Sequence, residues 1–227
     1  MESMMSALRA IHVLAGVVAL FVAPGALLTV KGGRAHRRWG KIYFWAMTVV
    51  AATAVVLGVW RPNVFLALLA VFSFYLAFSA YRVLGRKRPD RGDGPTWLDW
   101  TASLLTGAAS AALIGLGLTR PSAVWQQLGL VPVVFGAIGL ILAGRDIWSF
   151  VRPPADRKAW WFAHMTGMLA SYIAAVSAFS VVNFTFLPTT VRWLWPTVIG
   201  TPAITIWITY YKLHFARARP AGDKVTV

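Results

Sequence analysis

The sequence predicts an all-α protein, a polytopic membrane bundle of seven transmembrane helices. The first observation is composition: 58% of the residues are hydrophobic and only 13% are charged, against about 25% charged in soluble domains. The second is that seven uncharged runs are each long enough to cross about 30 Å of hydrocarbon. The third is that the basic residues cluster between alternate runs, as they do in membrane proteins.

The seven runs predict helices because lipid contains no water to hydrogen-bond the backbone N–H and C=O groups, so these groups must bond to one another. Their predicted bounds are about 10–30, 42–60, 62–84, 98–119, 125–147, 159–186 and 193–214. The longest loop, residues 86–97, is too short for a soluble domain, so residues 1–227 form a single predicted transmembrane domain. The first run has no clear cleavage site after it, and we expect it to remain as helix one.

The distribution of lysine and arginine predicts the orientation. Eighteen of the 22 lie at the ends of predicted helices one, three, five and seven or in the segments that follow them, so we expect the N-terminus outside and the C-terminus in the cytoplasm. The net charge of +15 is not arranged on one amphipathic face, and nucleic-acid binding is not expected. The expected partner is the lipid bilayer, and the oligomeric state stays open. The absence of cysteine excludes disulfides and thiolate metal ligands.

The stretch WWFAHMTGMLASYIAAVSAFSVVN places polar residues inside the sixth predicted helix. At 100° per residue, His164, Ser171 and Tyr172 share about a third of the circumference, and Asn183 falls near Tyr172 at the outer end. Such a stripe, together with His12 of helix one, could line a solute or proton path. The commoner role of such groups is to bridge helices, which contributes about 0.6 kcal/mol each.

Two predicted helices contain residues that weaken a helix. Pro24 and Gly25 lie in helix one, and Gly200 and Pro202 lie in helix seven. Interrupted helices at membrane depth mark binding sites in many transporters. The leading hypothesis is therefore a protein that binds or transports a small solute through a site between predicted helices one, six and seven.

The histidines suggest a second hypothesis, a membrane enzyme with redox or hydrolytic chemistry. His36, His164 and His214 all lie near the cytoplasmic ends of their helices, and Asp99 and Asp146 lie on the same side. Three imidazoles with a carboxylate could bind zinc, or His164 and His214 could be the axial ligands of a haem. Interfacial histidines that bind no cofactor are the commoner case. A structural subunit of a membrane complex is the third hypothesis.

Three stretches carry a resemblance to a known family: IHVLAGVVAL, KGGRAHRRWGKIY and HMTGMLASYIAAVSAFSVVN. With the helix count, they resemble an uncharacterised family of bacterial multi-pass membrane proteins, known as a domain of unknown function. The resemblance covers most of the chain. It implies the multi-pass architecture and a location in the bacterial inner membrane, and it brings no activity, cofactor or catalytic residues.

Overall fold

A computed structural model describes residues 2–217. This part of the chain is helical and contains no strand. The predicted all-α class is confirmed, and six of the helices (α1 to α4, α6 and α7) are long and apolar enough to cross a membrane, which supports a multi-pass membrane protein. The α-helices are α1 (Glu2–Leu28), α2 (Arg34–Trp60), α3 (Val64–Arg82), α4 (Trp97–Thr119), α5 (Ala123–Leu128), α6 (Val131–Val151), α7 (Ala159–Asn183) and α8 (Thr189–Arg217).

The helix predicted at 125–147 is divided in two in the structure. A short helix, α5, ends before Gly129, whose positive φ of 59° is a conformation that favours glycine. The longer helix, α6, then begins with Pro132 in its first turn, where the missing N–H of proline costs no hydrogen bond. The two helices at the N-terminal side, α1 and α2, begin earlier than predicted, because their charged first turns remain helical.

The break predicted at Pro24 and Gly25 is absent, since α1 continues through both residues. A Cβ on Gly25 would lie 3.0 Å from the ring of Trp39, so this glycine lets α2 approach α1 closely. The last carbonyls of α1 are met by side chains: Thr29 Oγ1 donates to Gly25 O at 3.0 Å, and Lys31 Nζ donates to Leu27 O. Partial burial lowers the pKa of Lys31, which lies between α1 and α2.

The break predicted at Gly200 and Pro202 is also absent, because α8 is continuous from Thr189 to Arg217. Gly200 lies directly against the side chain of Ile173 of α7, where any Cβ would collide with it. The glycine therefore serves helix packing, and the proline removes one backbone hydrogen bond without ending the helix.

The bundle is arranged around α3, which contacts α2, α4, α6 and α7. In addition, α1 packs on α2, α4 on α6 and α8 on α7. Two buried clusters fill the bundle on either side of α3. The first includes Phe65, Leu113, Trp125, Phe135 and Trp193; the second includes Ala19, Tyr43, Met47 and Ala77.

Large apolar side chains cover the outside of the bundle. Phe21 is 73% exposed, Val198 68% and Ile206 69%. An apolar surface of this kind is expected where a protein meets lipid. We call the end of the bundle that carries the α1–α2, α3–α4 and α6–α7 loops the basic end, and the other the opposite end.

Candidate functional site

A large cavity lies between α3, α6, α7 and α8. Its volume is about 1590 Å³, above the roughly 300–1,000 Å³ typical of small-molecule sites. The inner wall is mainly apolar and comes from three helices: Phe72 and Leu76 of α3, Phe135 and Leu142 of α6, and Ala170 and Ile173 of α7. A cavity of this size and lining suits a solute with a substantial apolar part.

Aromatic side chains close the cavity at the opposite end. Trp193 of α8 lies edge-to-face against Phe65 of α3 with ring centroids 5.4 Å apart, and 6.1 Å from Phe135 of α6. Trp125 of α5 also packs edge-to-face on Phe65, at 5.9 Å. Each such pair contributes about 0.5–1.5 kcal/mol beyond its buried area. Because Phe135 also lines the cavity, this aromatic cluster is its floor.

The cavity extends to the basic end, where charged side chains line the part that we call its mouth. Six are basic and four acidic, a net charge of +2: Arg86, Lys87, Arg88, Arg145, Arg157 and Lys212, with Asp90, Asp93, Asp146 and Asp156. Two of the cations lie over aromatic rings, Arg86 at 4.9 Å from the Phe150 centroid and Lys87 at 4.6 Å from that of Trp160. The polar mouth and apolar floor together give the cavity an amphipathic lining.

Asp146 is the one carboxylate of the cavity lining that comes from a long apolar helix, α6, and it has no salt bridge among residues 2–217. Its Oδ2 accepts a hydrogen bond of 2.6 Å from the Tyr75 hydroxyl of α3. The same hydroxyl lies 3.0 Å from Ser103 Oγ of α4, so three helices meet at this group. Ionisable side chains within membrane helices usually have a functional role. Asp146 is therefore the most informative polar residue of the cavity.

The other aspartate predicted as a ligand, Asp99, is fully engaged at the start of α4. Its carboxylate accepts from Arg82 at 2.8 Å, from Arg86, and from the backbone N–H of Thr96 at 2.8 Å. The side chain is only 2% exposed. These contacts join α3 and its following turn to α4, so Asp99 has a structural role in this geometry.

The polar stripe of the sixth predicted helix, now α7, faces away from the cavity. Ser171 is completely buried and shares a short hydrogen bond with the Tyr43 hydroxyl of α2. Tyr172 packs against the cluster formed by α1, α2 and α3. His164 bonds to the Ala80 carbonyl of α3. These contacts support the helix-bridging interpretation of the stripe.

The two remaining residues of the predicted path lie toward the opposite end, and neither lines the cavity. His12 Nδ1 is 2.8 Å from Thr53 Oγ1, a contact that joins α1 to α2. Asn183 is exposed and donates to the Phe179 carbonyl of its own helix at 2.8 Å. His12, Asn183 and the polar residues of the α7 stripe therefore lie outside the lining of this cavity.

The structure brings two of the three basic-end histidines together. The rings of His36 on α2 and His164 on α7 have centroids 6.3 Å apart. His214 is exposed on α8 and stacks on Tyr210, with centroids 6.2 Å apart. Among residues 2–217, no three His, Asp or Glu side chains are grouped to hold a metal. The neighbour of His164 is thus His36, and not His214 as the haem hypothesis proposed.

The sequence patterns predict a site that includes α7 and α8, but they do not predict that α3 and α6 form the other walls of the cavity. The α3 segment is apolar all round, so its periodicity does not show which side faces a cavity. The available signals were a hydroxyl and a carboxylate inside apolar runs, at Tyr75 and Asp146. Of these two residues, Asp146 is among the metal ligands predicted from the sequence.

Comparison of the chain with protein-family models, curated proteins and solved structures finds no match. Function therefore has to be inferred from the geometry of the bundle. Two features carry chemistry: the cavity between α3, α6, α7 and α8, and the pair of histidines between α2 and α7.

Proposed function

We propose that this protein spans the bacterial inner membrane seven times and binds or transports a small solute through the cavity between α3, α6, α7 and α8. The cavity itself is the observation that carries the proposal. Two of the helices first predicted to form the site, now α7 and α8, are walls of the cavity, whereas α1 contributes none of its lining. The walls opposite them come from α3 and α6.

The proposed orientation puts the basic end in the cytoplasm. The distribution of lysine and arginine supports it. Aromatic partners for these cations are also found there: Arg152 lies 4.6 Å from the Trp148 ring centroid, and Lys158 lies 3.7 Å from that of Phe215. Trp, Lys and Arg are typical of the membrane–water interface. The resemblance to a bacterial membrane family supports the choice of the inner membrane.

In this proposal the solute enters from the cytoplasmic side. Its apolar part contacts the wall formed by Phe72, Leu142 and Ile173, while its polar part stays among the charges of the mouth. Release to the other side requires the aromatic floor of Phe135 and Trp193 to separate, as in the alternating access of transporters. A protein that only binds the solute needs no such opening.

The proposal is tested by filling the cavity from α8. Thr205 and Thr209 are both exposed, and each donates its hydroxyl to the carbonyl four residues earlier, at 3.0 and 2.8 Å. Only Thr205 lines the cavity. We expect native mass spectrometry of the purified protein to show a co-purified small molecule, which Thr205→Trp reduces several-fold and Thr209→Trp leaves unchanged.

The same spectra separate the competing hypotheses. Wild-type protein without any bound small molecule, or equal occupancy in both variants, contradicts the proposal. A bound haem or one zinc ion per chain would support the enzyme hypothesis. A stoichiometric partner protein would support the hypothesis of a structural subunit.

A further inference from the structure

The two histidines between α2 and α7 lie outside the proposed solute cavity. The ring planes of His36 and His164 are inclined at 79°, with centroids 6.3 Å apart. Seven residues further along each helix, Tyr43 of α2 is hydrogen-bonded to Ser171 of α7. The equal spacing means that α2 and α7 run in the same direction at this point, with α1 and α3 packed against both of them and the two imidazoles facing each other.

Each imidazole is hydrogen-bonded to a backbone carbonyl of a neighbouring helix, α1 for His36 and α3 for His164. His36 Nδ1 lies 3.0 Å from Ala26 O of α1, and His164 Nδ1 lies 2.8 Å from Ala80 O of α3. A carbonyl oxygen only accepts hydrogen bonds, so both Nδ1 atoms carry the proton. In the neutral ring the lone pair is then at Nε2. Both histidines are therefore fixed in the tautomer that can ligate through Nε2.

The two Nε2 atoms are available for a ligand. Within residues 2–217 neither has a hydrogen-bond partner, since the contacts of both rings are made through Nδ1. Both Nε2 atoms also keep some exposed surface. The fully buried side-chain nitrogen and oxygen atoms without a partner in this part of the chain are Ser110 Oγ, Ser177 Oγ and Arg192 Nε, and no histidine atom is among them. His36 and His164 are both half-buried. The lone pairs are thus unused and can be reached.

We propose that His36 and His164 bind a single transition-metal ion of the Cu²⁺ or Zn²⁺ type through their Nε2 atoms. Metal–imidazole bonds are about 2.0–2.1 Å long, and a ring nitrogen lies about 1.1 Å from its centroid, so one ion joins rings about 6 Å apart when the two nitrogens lie on opposite sides of it, as in a square-planar Cu²⁺ site. The observed 6.3 Å fits this span. A histidine ligand usually donates its other N–H to a carbonyl or carboxylate, as both do here.

The donor set determines the class of ion. Imidazole nitrogen suits copper and zinc, whereas magnesium and calcium require oxygen ligands. No third His, Asp or Glu among residues 2–217 joins the pair, so water or an anion completes the coordination. Lys87 and the basic first turn of α2 lie at this end of the bundle, which favours an anion in the open position.

The test is calorimetric titration of chelator-washed protein, purified without a histidine tag, with Cu²⁺ and separately with Zn²⁺. An asparagine amide can still donate to Ala26 O or Ala80 O but has no atom at the Nε2 position. We expect one ion per wild-type chain, bound more tightly as Cu²⁺ than as Zn²⁺. We expect His36→Asn and His164→Asn to weaken binding at least tenfold, and the control variants His12→Asn and His214→Asn to retain it.

Wild-type protein that binds no Cu²⁺, or four variants that bind it equally, overturns the proposal. If the two site variants do not fold, the wild-type protein decides. Electron paramagnetic resonance of its copper complex is expected to show hyperfine coupling to two imidazole nitrogens, and a spectrum without that coupling overturns the proposal. The variant Thr205→Trp is expected to bind the metal normally, so the metal site and the solute cavity are tested independently.

Discussion

At the scale of single residues, two aspartates at the same end of the bundle have different surroundings. Asp99 is paired with Arg82 and Arg86 and also accepts from the N–H of Thr96. Asp146 has a hydrogen bond from Tyr75 and no cation within salt-bridge distance among the described side chains. Asp99 therefore joins helices, whereas Asp146 lines the cavity without a salt bridge.

Replacing Asp99 with asparagine is expected to destabilise the protein by about 3 kcal/mol, because it leaves the largely buried guanidinium group of Arg86 and the partly exposed one of Arg82 without their counter-charge. The measurement is the midpoint of thermal unfolding in a mild detergent. Asp90→Asn is the control, since Asp90 is exposed in the loop between α3 and α4. Equal midpoints for the two variants would contradict a structural role for Asp99.

At the scale of helices, the close packing of α6 against α4 and α3 depends on glycines of α6. A Cβ on Gly136 would lie 2.6 Å from the Ser110 carbonyl of α4, and Gly139 is in direct contact with the Ser110 side chain and with Phe72 of α3. By contrast, a Cβ on Gly144 of the same helix meets nothing within 4 Å. One helix thus contains glycines that are required for packing and one that is not.

Alanine substitutions at Gly136 and Gly144 are expected to have opposite effects on stability. Gly136→Ala forces α6 away from α4 and is expected to destabilise the protein by about 1–3 kcal/mol. Gly144→Ala adds no contact and raises helix propensity, so stability should be unchanged or up to about 1 kcal/mol higher. Unfolding midpoints of the two variants, measured in one detergent, provide the comparison. The same loss of stability in both would show that helix contact does not determine the outcome.

The positions of the helices in the sequence could largely be predicted, whereas which helices pack against one another could not. Uncharged runs of sufficient length predict each long helix because lipid leaves a backbone no alternative. The division at Gly129 coincides with a positive φ, and the role of Gly25 becomes visible only with Trp39 of α2 packed against it. Periodicity also cannot show that His164 faces His36. The cavity walls and the histidine pair therefore appear only when helix order in the plane is known.

At the scale of the whole molecule, α8 determines whether the chain crosses the membrane six or seven times. It contains threonine, proline and tyrosine and is not one of the six apolar candidates for a span. It nevertheless lies along the whole of α7. Contacts occur at the opposite end, where Phe184 stacks on Trp195 at 6.2 Å, and at the basic end, where Trp161 meets Tyr211 at 4.8 Å.

Because α7 is long and apolar enough to span the membrane, a partner packed along its full length should span it too. The chain contains no cysteine, so single cysteines can be labelled without background. With an impermeant maleimide on cells whose outer membrane is opened, we expect Ser122→Cys to react at once. Gly94→Cys and Ala216→Cys should react only after the inner membrane is permeabilised. If Ala216→Cys reacts immediately and Gly94→Cys does not, α8 does not cross the membrane. If Gly94→Cys reacts immediately and Ser122→Cys is protected, the proposed orientation is reversed.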